Sequence, residues 1–175
     1  MNLARYIMLA GYNAWANERI YAAAEKLTTE EYRADRGAFF KSVHGTLNHI
    51  LVADRIWMQR FTGQGDAPSR LDAILFEDCV SLRAARDRED ARISAFVGTL
   101  SENALAADFS YRTIVNPKTV TQPLSPALDH VFNHQTHHRG QVHAILTGLR
   151  GREFAPSLDL ILYQRETGSG GVTSR

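Results

Sequence analysis

The fold is decided by one stretch late in the chain, Asp129-His130-Val131-Phe132-Asn133-His134-Gln135-Thr136-His137-His138-Arg139-Gly140-Gln141-Val142-His143. Five of the seven histidines of the 175-residue chain lie in it. Ser125 suits the N-cap and Pro126 the first position of a helix that we expect to run to about Leu149. Side chains recur at steps of three and four residues, which is the spacing of one buried helical face. That face comprises Val131, His134, His138, Val142, Ile145 and Leu149.

His134 and His138 are therefore expected to point inward, one helical turn apart. A buried imidazole must satisfy two ring nitrogens, so the pair needs partners. Ordinary core hydrogen bonds or water are one explanation, and a divalent metal shared by both rings is the other. His130 and His137 flank the face, whereas Arg139 and His143 are expected to point away from it.

A second amphipathic helix, expected from about Ser42 to Phe61, supplies a third candidate ligand. His49 lies on the same stripe as Val52, Ala53, Ile56 and Trp57, and His44 lies well off that stripe. Three inward histidines from two helices predict a metal site with an open coordination position. That arrangement is typical of catalytic rather than structural metal sites.

The residues from Asn133 to Val142, with His49 upstream, resemble the DinB/YfiT-like metalloenzyme family. Tyr12 to Arg19 in the first helix is also similar to that family, and the likeness covers about residues 3 to 165. The resemblance implies a four-helix bundle, frequent homodimers, and a divalent metal held by His49, His134 and His138. Many members have no established reaction, and some relatives are thiol-dependent S-transferases or isomerases.

The predicted fold class is all-α, a DinB/YfiT-like four-helix bundle with a small β-hairpin before the last bundle helix. The remaining elements come from periodicity and turn residues. We expect helices over 3–27 and from 72 or 76 to 99, a hairpin within 109–122, and a short C-terminal helix opened by Pro156. Residues 1–167 then form a single domain, and 168–175 form a disordered tail.

Three other features of the sequence need interpretation, namely two asparagines, a charged run and the cysteine. Asn13 and Asn17 fall within the apolar stripe of the first helix, where they either line a wet seam or hydrogen-bond a ligand or metal-bound water. The alternating charges from Arg83 to Arg92 indicate a solvated helix face. Cys79 is expected to be a small core residue.

Composition excludes several classes of protein. A formal net charge of +1 gives no nucleic-acid footprint. No apolar run reaches the roughly 20 residues of a membrane span, and no signal peptide is evident. Cys79 is the single cysteine, so no internal disulfide forms, which suits a cytoplasmic protein.

The metal site suggests what the chain does. Imidazole ligands suit zinc, nickel, copper or iron, with zinc and nickel first, whereas three nitrogen ligands argue against calcium and magnesium. The leading hypothesis is a metal-dependent enzyme of the thiol-dependent S-transferase type, using a low-molecular-weight thiol. A metal-dependent hydrolase and a non-catalytic metal-binding stress-response protein are the alternatives, and the small-molecule substrate stays open.

The sequence offers no clear general base for such a site. Asp54 and Asp129 are expected to lie off the metal-facing stripes. His130 and His137 are the titrating candidates beside it. Arg60 is expected either to receive an anionic group or to extend to solvent.

Overall fold

The computed structural model describes residues 3–171, and it confirms the all-α four-helix bundle with a small hairpin. The four long helices are α1 (Leu3–Ala24), α3 (Val43–Thr62), α4 (Cys79–Gly98) and α6 (Leu124–Arg150). The shorter elements are α2 (Thr29–Arg33), α5 (Glu102–Ala106), the antiparallel strands β1 (Asp108–Arg112) and β2 (Thr119–Pro123), and α7 (Leu160–Thr167).

The long helices pack as a square in which consecutive helices are not always neighbours. Both α1 and α3 contact α4 and α6, so α1 and α3 lie on one diagonal of the bundle. The chain crosses the bundle between α1 and α3 through α2, and between α4 and α6 through α5 and the hairpin. This order places α3, which carries His49, directly against α6, which carries the histidine-rich stretch.

Two apolar clusters fill the bundle, one towards each end. Residues such as Ile20, Leu47, Leu82 and Leu146 form the first, and the second contains Ala10, Met58, Ile93 and Leu128. Between them along every long helix lies a layer of buried polar side chains, which we call the polar layer. Its members are Asn13, Asn17, Asp54, Arg86, Asp90, Gln135 and Arg139.

The polar layer corrects three predictions. Arg86 and Asp90 are buried, so the charged run of α4 is not a purely solvated face. Arg139 was expected to point away, yet it is buried and donates to the side chains of Asn13 and Asn17. Those two asparagines in turn donate to Asp90, and therefore neither lines a wet seam nor reaches the histidines. Buried polar groups need hydrogen-bond partners, and the residues of the polar layer act as partners for one another.

Three helix starts differ from the sequence prediction, and in two of them an aspartate caps the helix at a later residue than expected. Helix α6 begins at Leu124, since β2 runs straight into it, so Ser125 is not its N-cap. Helix α4 begins at Cys79, where the side chain of Asp78 caps it, rather than near 72 or 76. Helix α7 begins at Leu160 after the cap Asp159, and not at Pro156. In both capped helices a carboxylate accepts from a free first-turn N–H.

One short element follows α7. Ser169–Gly171 forms a 3-10 turn, and residues 172–175 of the predicted disordered tail lie outside the described part. Across residues 3–171, the helices are all too short or too polar to traverse a lipid bilayer.

Candidate metal centre

His49 from α3 and His134 and His138 from α6 meet at the interface of the two helices. One ring nitrogen from each lies within 4.8 Å of those of the other two. The Nε2 atoms of His49 and His134 are 3.1 Å apart. A tetrahedral zinc ion with ligand bonds of about 2.0–2.1 Å would hold two nitrogens about 3.3 Å apart, which is close to the spacing of this pair.

The His49 ring is oriented from outside the cluster. Its Nδ1 lies 2.7 Å from the carbonyl oxygen of Leu71, in the loop between α3 and α4. A carbonyl only accepts, so Nδ1 carries the proton and donates it. The lone pair of His49 is consequently on Nε2, the atom that faces His134, which is the tautomer a metal ligand needs.

His138 is oriented in the same way by a side chain one turn further along α6. Its Nδ1 donates to Oε1 of Gln141 at 2.9 Å, leaving the Nε2 lone pair free. The amide nitrogen of Gln141 lies 3.1 Å from Nε2 of His137. His137 is exposed and thus reaches the centre only through Gln141 and its ring contact with His138. The spacing of three residues between His138 and Gln141 is a signal that sequence reasoning missed.

The turn before α3 covers the centre with an aromatic ring. Phe40 stacks on His49 with ring centroids 3.7 Å apart and an angle of 16° between the planes. The same ring meets His138 edge-on at 5.5 Å. Gly45 makes this approach possible, because a Cβ there would lie 2.2 Å from the carbonyl oxygen of Phe40. Phe40 is therefore part of the site, although its position in a loop hid it from periodicity arguments.

Asn48 and His44 fix the loop that orients His49. Asn48 Oδ1 accepts from the backbone N–H of Leu75 and Phe76 at 2.8 and 3.0 Å. His44 Nε2 lies 3.0 Å from the carbonyl oxygen of Phe76. His44 is buried but stands apart from the three clustered histidines, so its role here is to anchor the loop.

Burial keeps the clustered imidazoles uncharged. Loss of hydration lowers the pKa of His49 to about 4 and that of His134 to about 3, with the neighbouring histidines adding to the effect. Burial also lowers the pKa of His138. At neutral pH all three rings are thus unprotonated and able to donate a lone pair.

A cleft of about 350 Å³ opens beside His49 and His134 and is closed on one side by the loop after β1. Its other lining residues are Ala53, Ile56, Trp57, Arg60, Leu71, Tyr111, Thr113, Ile114, Val115 and His130. His130 thus reaches the cleft, as expected for a titrating candidate. Asp54 belongs to the polar layer instead, and Asp129 lies near Arg5 and Tyr6.

Cys79 lies outside the candidate centre. It packs against the first apolar cluster, and burial raises the pKa of its thiol to about 11. A thiol with so high a pKa is almost entirely protonated at neutral pH and is a poor nucleophile, and Cys79 is not a member of the three-histidine group.

The fold and the three convergent histidines define a helical-bundle protein with a candidate metal centre between two of its helices. A sequence model of the DinB family matches residues 1–167, and the chain belongs to that family. It is also similar to Protein DinB of Bacillus subtilis (strain 168), with 26% identity over 143 residues. That alignment covers 77% of this chain and 80% of the Bacillus protein.

Proposed function

We propose that the protein is a metal-dependent enzyme in which His49, His134 and His138 hold one divalent transition ion, zinc or nickel. The observation that carries the proposal is the convergence of the three ring nitrogens beside a cleft that two of the rings, His49 and His134, line. The Nδ1 atoms of His49 and His138 donate hydrogen bonds to Leu71 and Gln141, so the lone pair of each ring is on Nε2 and can bind a metal. Such external support is usual for ligating histidines.

An ion held by three neutral imidazoles supplies Lewis-acid chemistry, because it makes a thiol or a water molecule that reaches it more acidic. The cleft itself provides an apolar pocket and His130. Burial lowers the pKa of His130, so its ring is neutral at pH 7 and can accept the proton that a thiol or water releases.

Thiol-dependent group transfer is the reaction we favour over hydrolysis. The cleft-lining residues within 3–171 include no carboxylate, the usual group that activates water in metal-dependent hydrolases. A thiol needs less help, because its pKa of about 8.5 is already near neutrality. Imidazole-bound zinc also accepts sulfur ligands readily.

A non-catalytic metal-binding role is the second candidate. It would be favoured by a fourth protein ligand that closes the coordination sphere. The candidate group found within residues 3–171 has three members, and the cleft lies beside it. An open position of this kind supports catalysis. The homodimer that the family resemblance implies and the cytoplasmic location that a single cysteine suits remain predictions, which sedimentation and cell fractionation test.

The test compares zinc-loaded, nickel-loaded and metal-free protein in a screen of small thiols with chromogenic electrophiles. We expect turnover that requires both metal and thiol, is lost in His134→Ala and is retained in His143→Ala. His143 lies on the same helix but outside the cluster, which makes it the matched control. Equal turnover by metal-free protein or by His134→Ala would contradict the proposal.

A further inference from the structure

The cleft contains a cation that has no acidic partner in the described part of the chain. Arg60 follows His49, Ala53, Ile56 and Trp57 along the stripe of α3 that faces the cleft. Within residues 3–171, no Asp or Glu oxygen lies within 4 Å of its guanidinium nitrogens. A half-buried arginine without a counter-charge is a natural place for an anion to bind.

The guanidinium is held in place by aromatic rings. Its central carbon lies 4.6 Å from the ring centroid of Trp57 and 4.8 Å from that of Tyr111. Nη2 donates to the carbonyl oxygen of Arg112 at 2.9 Å. Guanidinium carries five N–H donors, so four remain after this bond. These contacts hold the group at the wall of the cleft, and its remaining donors suit a two-oxygen acceptor such as a carboxylate.

A chain of ring contacts connects Arg60 to the metal centre along one wall. Trp57 lies 5.1 Å from His130, and His130 lies 5.7 Å from His134, measured between ring centroids. Along α3, Trp57 is eight residues beyond His49, which corresponds to about 12 Å. Apolar side chains line the space between the two ends, among them Ala53, Ile56 and Ile114. The cleft is thus apolar along its length, with a cation at one end and histidines at the other.

We propose that Arg60 binds the carboxylate of a substrate whose apolar body fills the cleft and whose reactive end lies at the three-histidine centre. The position of the reactive end rests on the function proposed above, whereas carboxylate binding by Arg60 does not. A cleft of about 350 Å³ is near the lower end of the size range of small-molecule sites. The substrate class is therefore a small apolar acid, with one ring or a short chain.

The competing explanation is that Arg60 only clamps the hairpin to α3 through Arg112 and Tyr111. The two explanations differ in ligand preference. A structural clamp is indifferent to the charge of a ligand, whereas a carboxylate site must discriminate an acid from its neutral amide.

The experiment measures binding of 4-phenylbutyrate and of 4-phenylbutyramide by tryptophan fluorescence. The Trp15→Phe background makes Trp57, which lines the cleft, the sole reporter. Metal-free protein is titrated first, so that the acid cannot bind to a metal ion, and zinc-loaded protein second. We expect the acid to bind at least about tenfold more tightly than the amide in both forms, the range of a charge-assisted hydrogen bond.

Variants assign that preference to Arg60. The ratio of the two affinities should fall to about one in Arg60→Met and be partly retained in Arg60→Lys. Arg88→Met, which removes an exposed arginine of α4, should leave the ratio unchanged.

Each contrary result overturns the inference. These results are no preference in the parent protein, a preference that survives Arg60→Met, and a preference that disappears in the control Arg88→Met. If neither the acid nor the amide binds to Arg60→Met or to Arg60→Lys, Arg60 acts as a clamp for the hairpin, and the inference is overturned as well. Failure of zinc binding alone would instead overturn the proposed function and leave the metal-free result for Arg60 standing.

Discussion

Replacement of Arg86 by methionine removes a buried guanidinium on which two buried carboxylates depend. Nη1 of Arg86 donates to Asp54 Oδ2 at 2.5 Å. Nη2 lies 3.0 Å from Asp90 Oδ1, close enough to pair electrostatically but not directed as a hydrogen bond. Arg86 is 0% exposed and Asp54 is 1% exposed, so water cannot replace the lost partner. Methionine keeps much of the side-chain volume, and the effect is therefore one of charge.

The cost follows from leaving a buried charge without its partner. Breaking a buried ion pair from one side destabilises a protein by about 3–5 kcal/mol. For a domain of this size each kcal/mol lowers Tm by about 2–4 °C, so Arg86→Met should melt about 6–20 °C below the parent. Arg88→Met, the exposed control on the same helix, should melt within about 2 °C of it.

The pH dependence of this loss identifies its cause. Burial raises the pKa of Asp54 to about 6 even though Arg86 opposes the shift, so removal of Arg86 raises that pKa further. A carboxyl group whose pKa is higher in the folded than in the unfolded chain stabilises the fold at low pH, and this stabilisation is lost as the pH rises through the pKa of the folded state. The difference in Tm between Arg86→Met and the parent should thus shrink as the pH falls from 7 towards 4. Calorimetry at several pH values measures this difference, and one that is independent of pH would refute the reasoning.

Three further predictions concern the metal centre and its surroundings. Metal-free protein should lose stability as the pH falls from 6.5 towards 4, because histidines of the unfolded chain bind protons in this range whereas the three buried histidines of the folded chain stay neutral. The raised pKa of Asp54 has the opposite effect on stability, but it is one group and the histidines are three. The slope of Tm against pH should therefore be shallower in His49→Ala. Cys79→Ser should leave thiol binding to the metal-loaded protein unchanged in calorimetry, and loss of binding would refute the proposed thiol site. Gln141→Ala should weaken metal affinity about 10- to 100-fold in a chelator competition, because His138 loses the acceptor that orients it.

The bundle and the juxtaposed histidines follow from helical periodicity. His49, His134 and His138 lie on buried stripes of two long helices, so the 3.6-residue period alone turns them inward. The hairpin follows from β-branched and aromatic residues on both sides of the turn at 116–118. These are local signals, and they are strong because they repeat over many residues.

The polar layer could not be predicted because its pairings join distant parts of the chain. Arg86 is 32 residues from Asp54, and Arg139 is 126 residues from Asn13. A charged residue within one helix is exposed by default, and only a partner on another helix makes its burial possible. The sequence of α4 alone therefore indicates a solvated face for Arg86 and Asp90.

The surroundings of the metal centre escaped prediction for a related reason. Leu71 and Phe40 lie in loops, and loop conformation has no period from which a direction can be read. The orientation of His49 depends on both, through a backbone carbonyl and a stacked ring. Sequence periodicity thus indicated which histidines point inward, and the three-dimensional structure was needed to show which ring nitrogen faces the centre.

The central claim is tested most directly by counting metal ions per chain. The parent protein and its His49→Ala, His134→Ala, His138→Ala and His143→Ala variants are loaded with zinc, freed of excess ion and measured by elemental analysis. We predict one ion per chain in the parent and in His143→Ala, and a large loss in each of the other three. A parent protein without stoichiometric zinc after loading, or loss of the ion from His143→Ala while His49→Ala retains it, would contradict the assignment.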